Sequence, residues 1–144
     1  VVRVEKSKIV SAPADKIFSV ITDFEKLPSR FPGRYRSVKV IEKSGNSVTV
    51  EDVTAAGREI HQVTKHTFDS DRTLRSEVID GDTKGTVVQI TLGPDASLGR
   101  TDVSIDAELK LGKLGSMLGV FAKGRIKSGL EHMIDEVENV VNSA

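Results

Sequence analysis

Three polar side chains at alternate positions, Gln62, Thr64 and His66, sit between Ile60 and Phe68. On an extended chain, residues two apart share a face. If the face with apolar ends is the inward one, Ile60, Gln62, Thr64, His66 and Phe68 point together into the protein. The three polar groups then form a strip inside an apolar interior, and convergent polar groups of this kind orient a ligand. Ser76, on the next strand, can join the strip. A slip of one residue would instead turn His61, Val63 and Lys65 inward. His66 is the best candidate for proton transfer, because an imidazole exchanges its proton near neutral pH. The plainer reading, a hydrogen bond to Thr64, Ser76 or water with no chemistry attached, carries more weight.

The remaining titratable groups offer less. His61 and His66 are five residues apart and face opposite sides of one strand, so they do not share a metal. His132, beside Glu131 on a late helix, reads as a solvated surface residue. Asp106 and Glu108 share the polar face of an amphipathic strand, and Asp80 and Asp82 flank Gly81 in a turn, where Asp serves local hydrogen bonding. Neither pair shows the burial that separates an acid from a base. The run Gly112-Lys113-Leu114-Gly115-Ser116 has the wrong spacing for a phosphate-binding loop, and no zinc motif or nucleophile elbow is present. No cofactor and no metal are expected.

The elements that position these residues follow from periodicity. Residues 1–10 read as a strand. Pro13 suits the first turn of a helix, with Ser11 or Ala12 as its cap, and Ile17, Val20, Ile21 and Phe24 make one apolar helical face. Leu27-Pro28 and Phe31-Pro32-Gly33 end that segment. A ladder of strands follows, punctuated at Ser44-Gly45-Asn46, Gly57, Asp69-Ser70-Asp71, Asp80-Gly81-Asp82 and Gly93-Pro94-Asp95. Its last member alternates most cleanly, with Val103, Ile105, Ala107, Leu109 and Leu111 on one face and polar residues on the other. Such alternation marks a sheet with one face buried, and short turns make consecutive strands antiparallel.

A final helix, from about Leu114 to Val141, carries an apolar stripe of Phe121, Ile126, Leu130, Met133, Ile134, Val137 and Val141. Gly112, Gly115, Gly119, Gly124 and Gly129 interrupt its first half. Close packing of the helix backbone on a curved sheet accounts for them best, and a gate over a pocket is the sharper alternative. Basic residues in the first half of this helix precede acids in the second, an order that opposes the helix dipole. A plain solvated face is the leading reading of these charges.

Composition narrows the field. With 144 residues the chain makes one domain, spanning residues 1–144. The balance of 21 basic and 21 acidic residues argues against nucleic acid as a partner. The absence of cysteine excludes disulfides and thiolate chemistry. No apolar run approaches the roughly 20 residues of a membrane helix, and residues 1–5 lack the apolar core of a signal peptide. A cytoplasmic protein is the expectation.

The order of parts, with Ser11-Ala12-Pro13-Ala14-Asp15-Lys16-Ile17-Phe18 and Thr22-Asp23-Phe24-Glu25-Lys26-Leu27-Pro28, resembles the opening of START-like (Bet v 1-like, SRPBCC) domains. The nearest branch is the polyketide cyclase/dehydrase and coenzyme Q-binding group. The resemblance covers essentially the whole chain. It implies an α+β helix-grip fold, a seven-stranded antiparallel curved sheet wrapped around a long C-terminal helix, with two short helices between the first two strands. A pocket would lie between sheet and helix, walled by Gln62, Thr64, His66, Ser76, Val88, Ile90, Ile105, Ala107, Met117, Phe121 and Gly124.

Fold does not choose the function. The leading expectation is a binder, carrying or presenting a lipophilic molecule such as an isoprenoid, a quinone or an acyl chain. The scarcity of aromatic residues favours an aliphatic guest. Two alternatives stand beside it. One is a cyclase or dehydratase with His66 as acid or base. The other is a protein-interaction module. Transient contact with a membrane surface, through the basic first half of the late helix or through Lys26, Arg30, Arg34 and Arg36, also stays open.

Overall fold

Each strand of this chain pairs with its neighbour in sequence, except the first, which closes onto the last. The computed structural model describes residues 2–55, 58–70, 72–94, 99–110 and 122–143. Its elements are β1 (Val2–Val10), α1 (Ala14–Thr22), a 3-10 turn (Phe24–Lys26), α2 (Leu27–Arg30), β2 (Tyr35–Ser44), β3 (Ser47–Ala55), β4 (Glu59–Phe68), β5 (Thr73–Gly81), β6 (Val87–Pro94), β7 (Thr101–Leu109) and α3 (Ala122–Ser143). The seven strands form one antiparallel sheet in the order β1-β7-β6-β5-β4-β3-β2. This is the helix-grip, START-like architecture, with the two short helices filling the β1–β2 connection.

Local chemistry explains the turns and the bends. Gly45 takes a φ of +56° and lets β2 and β3 join through two residues. β2 shifts register twice against β3, and the β4–β5 pair shifts once, between Val63 and Thr64. The β4–β5 shift leaves Ile79 unpaired, with Asp80 opposite Val63 and Val78 opposite Thr64. Bulges of this kind bend a strand and increase its twist.

The start of α1 departs from expectation. Pro13 itself is the cap residue, at φ −71°, and no side chain caps the helix. The Pro13 carbonyl accepts from the Ile17 N–H at 3.2 Å. The Ser11 backbone N–H instead donates to Glu138 Oε2 at 2.7 Å.

That contact belongs to a ladder that corrects the reading of the late acids as a plain solvated face. β1 is an edge strand whose inward positions are Val4, Lys6, Lys8 and Val10. Lys6 pairs with Glu131 at 3.3 Å and Lys8 pairs with Asp135. Two residues along a strand advance about 6.7 Å and four along a helix about 6 Å, so the two charge rows match in step. On the other flank, Arg34 Nε donates to Glu136 Oε2 at 3.0 Å. The acids of α3 therefore hold it to β1 and to the loop before β2, which outweighs the small unfavourable effect of the helix dipole. Inward lysines also discourage pairing of this open edge with another chain.

The glycine expectation fails where it is visible. A Cβ built on Gly124 or on Gly129 would meet nothing within 4 Å, so close packing does not explain these two residues. Gly112, Gly115, Gly119 and the rest of 111–121, with the gate they suggested, lie outside the described residues. The apolar side of α3 packs through Ile134, Val137 and Val141 into one core with Ile17 and Val20 of α1, Phe24, Leu27 and the inner face of the sheet.

Candidate functional site

The inner face of the sheet, the 3-10 turn and the three helices line a cavity of about 260 Å³. Its apolar walls come from α1 (Ile17, Ile21), from the turn and α2 (Phe24, Leu27), from the strands (Val50, Leu74, Val88, Ile90, Ile105) and from α3 (Leu130, Met133, Ile134, Val137). The polar side chains that face it fall chiefly into two groups.

The first group centres on Asp52. β3 continues its inward period through Val50 to Asp52, which is 5% exposed and stands opposite Gln62 in the β3–β4 register. Gln62 Nε2 donates to Asp52 Oδ2 at 2.8 Å, and Thr64 Oγ1 donates to Asp52 Oδ1 at 2.9 Å. Behind them, Thr83 Oγ1 donates to Gln62 Oε1 at 2.7 Å. Burial pushes the Asp52 carboxyl above the usual carboxylate range, and the bonds from Gln62 and Thr64 partly oppose that shift. Tyr35 is pushed up to about 12, first by burial and then by the negative charge of Asp52.

The second group is His66 with Ser76, opposite each other in the β4–β5 register. His66 Nδ1 and Ser76 Oγ lie 2.6 Å apart. The imidazole stacks on Phe24 with ring centroids 4.2 Å apart and planes 16° from parallel. Burial lowers its pKa to about 4. At neutral pH this ring is uncharged. It can accept or donate one hydrogen bond, but it holds no imidazolium proton to give to a leaving group.

Of the residues expected to wall the pocket, Gln62, Thr64, His66, Ser76, Val88, Ile90 and Ile105 line this cavity. Ala107 is buried but is not among the lining residues, and Gly124 is exposed on α3 and not among them either. Met117 and Phe121 lie outside the described residues. The sequence reading missed Asp52, Thr83 and Tyr35 as site residues, and it gave Arg34 only a place in a surface basic cluster. The signal for Asp52 was present in the alternation Val48, Val50, Asp52, which places the acid on the apolar face.

Other acids behave as read. Asp80 Oδ1 accepts from the Gly81 N–H, Asp82 Oδ2 accepts from the His61 N–H, and Asp106 pairs with Arg3 across the β1–β7 ladder. Among the described residues no cluster of His, Asp or Glu could hold a metal ion, and no helix is long and apolar enough to cross a membrane.

Solved structures share this architecture. The protein TTHA0849 from Thermus thermophilus superposes with a TM-score of 0.83 at 17% identity, over 99% of this chain and 98% of that one. A START superfamily protein from Mycobacterium smegmatis gives 0.76 at 21% identity, over 98% and 97%. The Zhui aromatase/cyclase from Streptomyces sp. R1128 gives 0.70 at 17% identity, over 97% and 90%. At these identities the likeness is one of fold. No curated protein matches the chain in sequence. The sequence pattern of the family described as polyketide cyclase / dehydrase and lipid transport, however, matches residues 1–138. With the pattern spanning nearly every element of the grip, the chain belongs to the polyketide cyclase/dehydrase and lipid transport family.

Proposed function

We propose that this domain binds a lipophilic small molecule, an isoprenoid, a quinone or an acyl chain, and carries or presents it. The observation that carries the reading is the cavity itself, apolar along the sheet and α3, with its polar groups gathered at two places. Each CH2 buried there contributes about 0.8 kcal/mol. A ten-carbon chain thus gains roughly 8 kcal/mol before the ordering terms that oppose association. The few aromatic walls, chiefly Phe24, Phe31 and Tyr35, suit an aliphatic guest better than a stacked polycyclic one.

The alternative, a cyclase or dehydratase driven by His66, finds less support. Acid or base catalysis near neutral pH works best with a histidine that titrates there, whereas His66, lowered to about 4, has no proton to give and is a weak base. Titration with the neutral dye Nile red tests the carrier reading. The wild-type protein should enhance its fluorescence saturably, and Ile105→Trp, which fills the cavity, should abolish the signal. Equal binding by the two proteins would refute it. Native mass spectrometry of freshly purified protein should also reveal a co-purifying lipid.

A further inference from the structure

Asp52 is the only carboxylate among the described residues that line the cavity, and both of its side-chain partners are neutral. A carboxylate offers about four lone-pair positions. Gln62 and Thr64 occupy two of them, and among the described residues no cation pairs with it. The cation among the described lining residues is Arg34, and it is already committed, with Nε and Nη2 at 3.0 and 3.4 Å from the two carboxylate oxygens of Glu136. Among the described residues the cavity thus holds a compensated positive group and a carboxyl with no cation beside it.

The direction of the hydrogen bonds sharpens this. Thr83 donates to Gln62 Oε1, so the Gln62 amide presents its NH2 to Asp52. Both Gln62 and Thr64 then direct donors at the carboxylate. The network ends in an acceptor that faces the cavity, and an incoming group must supply a donor to complete it.

We propose that Asp52 anchors a hydrogen-bond-donating head group on the lipophilic guest, a protonated amine or a hydroxyl, and that the site rejects free carboxylic acids. The inference rests on the carrier reading and narrows its guests by their polar end, setting aside an oxidised quinone, whose carbonyls only accept. A protonated amine supplies both the donor and the missing positive charge. A hydroxyl supplies the donor, and its oxygen can accept the second N–H of Gln62. A carboxylate brings neither and sets like charges together in a site shielded from water, where repulsion is strong.

Displacement of Nile red by decylamine, decanol and decanoate at pH 7.5, each below its aggregation threshold, tests the proposal. In the wild type, decylamine should bind tightest, decanol next, and decanoate at least about tenfold more weakly than decylamine. In Asp52→Asn, an isosteric change, the advantage of the amine over the alcohol should disappear, read as the ratio of their affinities by titration calorimetry. Decanoate binding as tightly as the amine, or an unchanged ranking in Asp52→Asn, overturns the proposal and leaves the carrier reading standing. Failure of Nile red itself to bind the wild type overturns both. Should Asp52→Asn not fold, the wild-type ranking alone decides.

Discussion

The ring of His66 lies flat on the ring of Phe24, with centroids 4.2 Å apart, so an aromatic residue from the β1–β2 connection covers one face of a part-buried histidine on the fourth strand. The consequence is electrostatic. Burial drives the imidazole to about 4 from an ordinary value of 6.5.

The pH dependence of stability follows. The unfolded chain takes up this proton near pH 6.5 and the folded protein only near pH 4. Between these values the unfolded state binds more protons, so acid favours unfolding. Stability should be at its full value above about pH 6.5 and should decline as the pH falls towards 4, by as much as about 3 kcal/mol from this group. His66→Gln should flatten the decline. Urea denaturation of both proteins at pH 7.5, 6, 5 and 4.5 measures the difference, and parallel curves would contradict the burial of the ring.

Asp52 should behave in the opposite sense. Burial raises its folded carboxyl above the unfolded one, so wherever it is ionised the folded state carries an unfavourable charge that acid relieves. Asn is nearly isosteric, and the Thr64 hydroxyl can rotate to accept from the new amide. Asp52→Asn should therefore stabilise the unliganded protein at pH 7.5 by about 1 kcal/mol, or roughly 2–4 °C in Tm. The gain should shrink as the pH falls through the folded pKa of the wild type. Calorimetry at pH 7.5 and pH 4 gives the two values. A loss of stability at pH 7.5 would mean that the carboxylate supports the fold of the free protein.

α3 offers a stabilising change away from the cavity. Gly129 sits inside the helix, and a Cβ there would meet open space. Its carbonyl, which accepts from Arg34 Nη2, is untouched by a side chain. Gly129→Ala should stabilise by about 1 kcal/mol, the helix-propensity difference between the two residues. Chemical denaturation checks it, and a null or negative effect would point to a use for flexibility at this turn.

Much of this architecture is legible from period alone. The alternation Val103, Ile105, Ala107 fixes the inward face of β7, and Ile60 with Phe68 orients β4 so that Gln62, Thr64 and His66 face the interior. Pairings across the chain are not legible in this way. Lys6 and Lys8 look like the polar half of an amphipathic strand, and only the docking of α3 brings them against Glu131 and Asp135. Asp52 was overlooked because an acid on a strand ordinarily faces water. Here two donors from β4 hold it on the inward face, and no local pattern announces them. Gly81 reads as an ordinary turn residue between two aspartates, yet its role reaches the site.

Gly81 pairs with Gln62 in the β4–β5 register at a φ of +106°, a conformation that other residues rarely adopt. A Cβ there would lie 2.3 Å from the His61 carbonyl oxygen and 2.7 Å from Gln62 Cα. Both contacts are with backbone, so no side-chain rotation can relieve them. Gly81→Ala must either push β5 away from β4 or shift the backbone that carries Gln62. Backbone strain and overpacking together should destabilise the protein by about 3 kcal/mol. The displacement should also loosen the link from Thr83 through Gln62 to Asp52 and weaken head-group selection more than the binding of a neutral dye. Thermal unfolding, together with the decylamine-to-decanoate affinity ratio, separates these effects. A variant that loses stability but keeps the wild-type ratio would show that Gln62 holds its place without the close approach of the two strands.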